Sequence, residues 1–313
     1  MLSTLVPDLN VARVFYLACL AGLIGLPPAL GAGETLTLSA RRLIQPAGGP
    51  WQQVTNPVSW EASATAVVIC DMWNQHWCKG ASARVAEMAP RMNQVITKLR
   101  KRGVLIIHCP SDTLKFYANT PGRRLAQAAP PVPAKTPLRG WCALDSTKEP
   151  PLPIDDSDGG CDDEPQCQQG SPWSREIESI AIEPGDAITD SAEAYNLMRE
   201  RGITNVIVMG VHQNMCVLGR PFSIRQMVYQ GQNVLLMRDL TDSMYNSRRR
   251  PWVDHFTGND LMTWHIEKYW CPTITSDQIL GGQAFRFAAD IKPPRVFSAT
   301  VASAAATSGS AKP

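Results

Sequence analysis

A three-layer α/β/α, Rossmann-like fold around a mainly parallel six-stranded sheet is what this sequence predicts, and three observations predict it. Short apolar, β-branched runs recur along the chain, as in Ala64 to Cys70, Val104 to Ile107 and Val206 to Met209, the pattern of strands buried on both faces. Stretches of helical periodicity alternate with them, which implies parallel pairing through right-handed crossovers. Two of the runs lead directly into chemically capable residues, Asp71 after the first and the Gly210 to Cys216 segment after the third. Open α/β sheets place ligands and catalytic groups at that carboxyl edge.

Length and composition bound the rest. The chain has 313 residues, 44% of them hydrophobic, enough for one core with additions at its ends. The formal net charge is +2 and the longest basic block is Arg248 to Arg250. Aromatic residues are not interleaved with basic ones in the way a binding groove would want, so a nucleic-acid partner is not expected.

Arg13, the apolar stretch Val14 to Leu26, Pro27-Pro28 and the small-residue site Ala29-Leu30-Gly31 read as an export signal over residues 1–31. The stretch is too short for a membrane span. The expectation is a periplasmic or secreted protein with no membrane contact once the signal is removed. With Cys70 assigned to a buried strand and Cys216 to a working thiol, Cys78, Cys109, Cys142, Cys161, Cys167 and Cys271 remain, enough for up to three disulfides in an oxidising compartment. No Cys-x-x-Cys pair occurs, so neither a structural metal nor a cofactor is expected, and a thiol-redox role lacks its motif.

Taken in order, residues 33–60 alternate and then meet Pro46, Gly48-Gly49-Pro50 and Pro57, a β-hairpin or edge addition ahead of the core domain at 61–292. The loop after Asp71 carries Trp73 and His76 as candidate substrate-pocket walls, with a simple packed loop as the alternative. Pro90 is placed at the start of a helix whose stripe is Met92, Val95, Ile96 and Leu99, with Gly103 ending it. The next strand delivers His108, a candidate substrate contact or a hydrogen-bonded structural histidine.

Residues 113–172 are rich in proline and acidic residues, and lack the spacing of a calcium loop. They read as a lid that closes over the pocket or reaches across a homo-oligomer. A third strand is expected at Glu178 to Ile182, an N-cap at Asp190, and strands at 203–210, Asn233 to Met237 and Pro272 to Thr275. Pro221 is expected to shift or kink the helix after Cys216. Thr257 to Tyr269 forms a helix, and the Ala- and Ser-rich tail from 293 reads as disordered.

Cys216 sits where a strand turns into a helix. Free backbone N–H groups and the positive helix end there favour a thiolate, although a small buried cysteine is the plain alternative. An early Asp71 combined with Gly210-Val-His-Gln-Asn-Met-Cys216 resembles the isochorismatase-like cysteine hydrolases, the superfamily that includes nicotinamidases, over roughly Ala64 to Gly282. The resemblance implies that Cys216 attacks a carbonyl to form a thioester, and that Asp71 carries the proton to the leaving amine. It also implies a cis peptide between Val211 and His212, which turns the His212 and Cys216 N–H groups toward the oxyanion.

The family's third catalytic residue is a lysine at the end of the third strand. Counting without gaps from Gly210 and Gly202 puts Glu183 there, and a carboxylate would oppose the thiolate. Lys115 is the candidate substitute. Where nicotinamidases carry an Asp-x-His metal pair, this chain reads His108-Cys109-Pro110-Ser111-Asp112, so that metal is not expected. The resulting expectation is a cysteine-dependent hydrolase of a small amide or related C–N bond, with small-molecule substrates as its partners. The alternative is a catalytically silent small-molecule-binding protein on the same fold.

Overall fold

The structure is a computed structural model that describes residues 1–2 and 33–297. The expected export signal therefore lies outside the described residues, apart from Met1 and Leu2. Strand β1 (Thr35–Ile44) buries Leu36, Leu38 and Ala40 and exposes Thr35, Thr37 and Ser39 between them, the period-two pattern of a strand with one wet face. It pairs antiparallel with β2 (Gln52–Glu61) along its whole length. Strand β3 (Thr65–Cys70) is buried at every position, as its unbroken apolar run requires.

Helix α1 (Lys79–Lys101) packs Val85, Met88, Met92, Val95, Ile96 and Leu99 against one face of the sheet and carries Pro90 in its interior. Pro90 was expected to start the helix. A proline inside a helix costs about 3 kcal/mol, and the buried stripe on both sides of it outweighs that. Strand β4 (Leu105–Cys109) follows, then α2 (Leu114–Tyr117) and α3 (Pro121–Ala128), the only α-helices among the described residues of the 113–172 insertion. From there the chain runs irregularly until β5 (Ala187–Ile188).

The strand expected at Glu178 to Ile182 is not formed. Ile180 packs into the core from a turn, and the pairing with β4 is taken by the fully buried Ala187 and Ile188. Helix α4 (Glu193–Glu200) begins after Ala192 rather than at an Asp190 cap. Strand β6 (Asn205–Val211) is buried throughout, and α5 (Cys216–Gly219) and α6 (Ile224–Tyr229) divide at Pro221. Strand β7 (Asn233–Asp242), α7 (His255–Tyr269), β8 (Thr273–Ile274) and α8 (Asp277–Leu280) complete the order.

The sheet has eight strands in the order β2-β1-β8-β7-β6-β3-β4-β5. Six of them, β3 to β8, are parallel to their neighbours within that set. The two additional strands are the N-terminal hairpin, joined antiparallel to β8 through Arg41 and Thr273. The order reverses beside β3, so the ends of β3, β4 and β6 form the crevice where a ligand belongs. The tail is placed as far as 297: Arg295 pairs with Asp260 and Asp290, and Phe297 meets the Trp264 ring at 5.5 Å. The rest of the expected disordered tail lies outside the described residues.

Candidate active site

Close contact between β3 and β6 builds the site. Gly210 adopts φ 108°, and a Cβ there would fall 2.0 Å from the Cys70 carbonyl oxygen, so only glycine lets the two strand ends approach this closely. Asp71 leaves β3 at φ 49°, in the left-handed region that a non-glycine residue enters rarely and often at functional sites. Its carboxylate is fully buried, and Oδ1 accepts the Ser111 N–H at 2.8 Å. Oδ2 has no hydrogen-bond partner and lies 3.6 Å from Nε of Arg220.

The Cys216 thiol is half-buried beside this carboxylate and the Arg220 guanidinium. Burial and then the Asp71 charge push the thiol well above its ordinary range, and Arg220 acts against that rise. Burial likewise raises Asp71, opposed chiefly by Arg220. The pair is therefore a thiol that holds its proton beside a carboxyl group with one unpartnered oxygen, the arrangement that proton transfer from sulfur to oxygen needs.

Arg220 reaches the site because of its neighbour in sequence. Pro221 disfavours the helical region for the residue before it, and Arg220 accordingly caps α5 in an extended conformation, φ −68° and ψ 156°. Its Nη2 also meets Asp112 at 3.3 Å, and its guanidinium lies 5.9 Å from the centre of the Trp141 ring. The structure thus supplies the cation from the turn after α5, not from the third strand. Glu183 is exposed ahead of β5, and its backbone N–H donates to Asp186 at 2.7 Å. It lies at the opposite end of β5 from the catalytic edge, where Thr189 emerges, so the structure does not bring Glu183 to the sulfur. Lys115 is also exposed and makes no ion pair among the described residues.

The peptide between Val211 and His212 is cis, as the resemblance implied. The amides of His212 and Cys216 donate no hydrogen bond among the described residues, which leaves both available to a ligand oxygen. The His212 ring is buried and its Nε2 is unpartnered. Burial, then the nearby His76, keep His212 well below the usual histidine range. His76 is pushed down to about 4 by burial and by Arg84. Both rings are neutral at ordinary pH.

Trp73 is buried, donates through Nε1 to the Ser111 carbonyl at 3.0 Å and stacks on Trp173 at 4.4 Å. His76 stacks on Trp173 at 5.7 Å and meets His212 edge-on at 5.1 Å. Trp73 and His76 thus belong to an aromatic wall beside the loop that follows Asp71, and Trp173, which sequence reasoning missed, completes it. His108 does not join them. Its Nδ1 meets Glu176 at 2.7 Å and its Nε2 meets Asp186 at 3.2 Å. Burial opposes a charge there, yet the two carboxylates push the imidazole up to about 9. Both ring nitrogens are committed to structure, which corrects the substrate-contact expectation.

The eight described cysteines are all unpaired, so the expected disulfides are not formed. Cys109 is buried in β4, and Cys142 donates to Gln226 at 3.3 Å. Where nicotinamidases carry a metal pair, His108 here faces Glu176 and Asp186, and Asp112 faces Arg220.

The isochorismatase domain model matches residues 65–265. Among solved structures, a cysteine hydrolase from Pseudomonas syringae pv. phaseolicola is 16% identical over 71% of this chain and 92% of its own, with a TM-score of 0.44. N-carbamoylsarcosine amidase from Thermoplasma acidophilum is 14% identical, covering 68% and 96%, with a TM-score of 0.37. The pyrazinamidase of Pyrococcus horikoshii in complex with zinc is 16% identical, covering 64% and 94%, with a TM-score of 0.35. No curated protein sequence matches the chain. With the domain model spanning well over half of it, the chain belongs to the isochorismatase family.

Proposed function

We propose that this protein is a cysteine-dependent hydrolase that cleaves a small amide or related C–N bond through a thioester. The observation that carries the reading is the meeting of the Cys216 thiol, the unpartnered Oδ2 of buried Asp71 and the Arg220 guanidinium at one crevice. The Cys216 proton passes to Asp71 as sulfur attacks the carbonyl carbon. The oxyanion forms within reach of the His212 and Cys216 N–H groups. Asp71 returns the proton to nitrogen as the C–N bond breaks and the amine leaves, so the acyl group stays on sulfur. Water then attacks the thioester with Asp71 as base, and the acid and the free thiol are released.

Arg220 takes the electrostatic part that the family gives to lysine. A guanidinium holds its proton throughout, so it stabilises thiolate and oxyanion through its charge and N–H groups without giving up a proton to either. The stacked wall of Trp73, His76 and Trp173 suits a flat, uncharged acyl group.

The test is release of ammonia or amine from a panel of small carboxamides and N-carbamoyl compounds, by the parent and by Cys216→Ala. Hydrolysis of one panel member, abolished in the variant with an acyl adduct trapped on Cys216 in the parent, is expected. If no panel member turns over and a thiol-reactive probe labels Cys216 no faster than a free cysteine, the silent binding protein takes its place.

A further inference from the structure

Cys78, Cys161 and Cys167 converge on one carboxylate oxygen. Oδ2 of Asp163 lies 3.4 Å from the Cys78 sulfur, 3.4 Å from that of Cys161 and 3.2 Å from that of Cys167. The ligand atoms of Cys78, Cys161 and Asp163 all lie within 4.8 Å of one another, and Cys167 joins this group through its approach to the Asp163 oxygen. With zinc bonds of about 2.3 Å to sulfur and about 2.0 Å to oxygen, the sulfur-to-oxygen edge of a tetrahedron is about 3.5 Å. The three observed separations match that edge. These residues are separate from Cys216, and a metal held by them is independent of whether the chain is a hydrolase.

The start of α1 supplies backbone donors to the ligand atoms. Cys78 is the N-cap of α1, a helix of 23 residues with no side-chain cap and no acidic residue in its first turn. Its free amides face the ligand atoms instead. Gly80 N–H donates to Asp163 Oδ2 at 3.0 Å, while Lys79 N–H faces the Cys167 sulfur and Ala81 N–H faces that of Cys78. A helix start with its first amides unpaired stabilises negative charge, and three thiolates with a carboxylate supply it. Cys78 and Cys161 are buried, and Cys167 is partly so. Arg248 Nη2 holds the Asp163 carbonyl at 3.0 Å, and Arg84 pairs with Asp162 at 3.0 Å, fixing the backbone on either side of the ligand.

We propose that Cys78, Cys161, Cys167 and Asp163 form a structural zinc site that clamps the insertion onto the start of α1. Soft thiolates select zinc over hard cations. Binding releases the thiol protons to solvent and involves no redox step. The clamp fixes more than the insertion, because the Cys78 N–H donates to His76 Nδ1 at 3.1 Å and so ties the metal site to the aromatic wall. The site escapes a motif search because its ligands come from segments 85 residues apart.

The test uses the full chain, reduced and supplied with Zn²⁺ alone. One zinc per chain should survive gel filtration. Cys78, Cys161 and Cys167 should resist alkylation until a chelator is added, and the melting temperature should then fall. Co²⁺ in place of Zn²⁺ should give the intense visible bands of a tetrahedral thiolate site. Cys161→Ser and Asp163→Asn should lose stoichiometric retention, and Cys142→Ser, outside the site, should keep it. If the serine variant does not fold, the alkylation pattern of the parent decides alone. Failure of the reduced protein to retain zinc, equal alkylation with and without chelator, or a disulfide among the three cysteines in the native protein would overturn the proposal.

Discussion

Replacing Asp71 by asparagine keeps the side chain's shape and removes its charge, and the two jobs of that carboxylate then separate. As the proton carrier it is needed for turnover, so kcat should fall by about a hundred- to ten-thousand-fold. As a buried anion it raises the Cys216 thiol, so its loss should move the midpoint of Cys216 alkylation to lower pH. Faster labelling with slower hydrolysis is the expected outcome. Parallel loss of both would mean that the carboxylate only shapes the loop. His108 allows a second prediction, on stability. Its pKa rises from an ordinary 6.5 to about 9 between Glu176 and Asp186, which corresponds to about 3 kcal/mol. A raised imidazole stabilises the fold fully below the unfolded value of 6.5, and that contribution is lost as pH rises through 9. The stability gap between the parent and His108→Gln in urea should therefore be widest near pH 6 and narrow steadily above neutrality.

At the scale of elements, Pro221 decides where a charge goes. Pro221→Ala would let Arg220 enter a continuous helix from α5 into α6, carrying the guanidinium away from Asp71. The expected result is slower Cys216 alkylation at neutral pH with an unchanged or higher melting temperature. Slower labelling accompanied by general destabilisation would instead indicate a packing defect. The elements themselves were largely legible. The buried runs at Ala64 to Cys70 and 203–210 announced β3 and β6, and the strand-to-helix turn announced Cys216, because burial on both faces leaves an unbroken apolar signature. Local rules misled where tertiary packing overrode them. Pro90 reads as a helix start, yet Val85 and Met88 ahead of it are buried in the same cluster as Met92 and Val95 after it. Gap-free counting puts Glu183 at the catalytic edge, but β5 has only two residues and a long irregular connection precedes it, which the count does not see. Arg220 had a visible cue in the proline that follows it. An arginine at a helix end ordinarily complements the dipole, and only its position across from Asp71 reveals another role.

For the whole molecule, the question is what holds a long irregular insertion against the sheet. Residues 129–172 contain no helix or strand among the described elements, so their backbone order comes from side chains reaching the body. Trp141 covers Gly219, and the Cys142 N–H donates to the Gly219 carbonyl at 2.7 Å, so the insertion touches the residue beside Arg220. Asp156 accepts from Asn214 at 2.7 Å, two positions before the thiol. The firmest anchor is Glu149, fully buried in its side chain, with Arg225 at 2.5 Å, His265 at 2.6 Å and Trp270 Nε1 at 2.8 Å. Its carboxyl stays below the usual range because these partners outweigh the cost of burial. Removing one partner of such a group strands the others without water, at about 3 to 5 kcal/mol, more than a typical point change. Glu149→Gln should therefore leave Arg225 uncompensated and release the middle of the insertion before it loosens β3 or β6. Hydrogen exchange under native conditions should speed up across 138–160 and around Gly219 while the amides of β3 and β6 keep their protection. Native proteolysis should cut first in the same stretch. If exchange instead accelerates uniformly across the sheet, Glu149 is part of the cooperative core, and the insertion is not a lid that opens by itself.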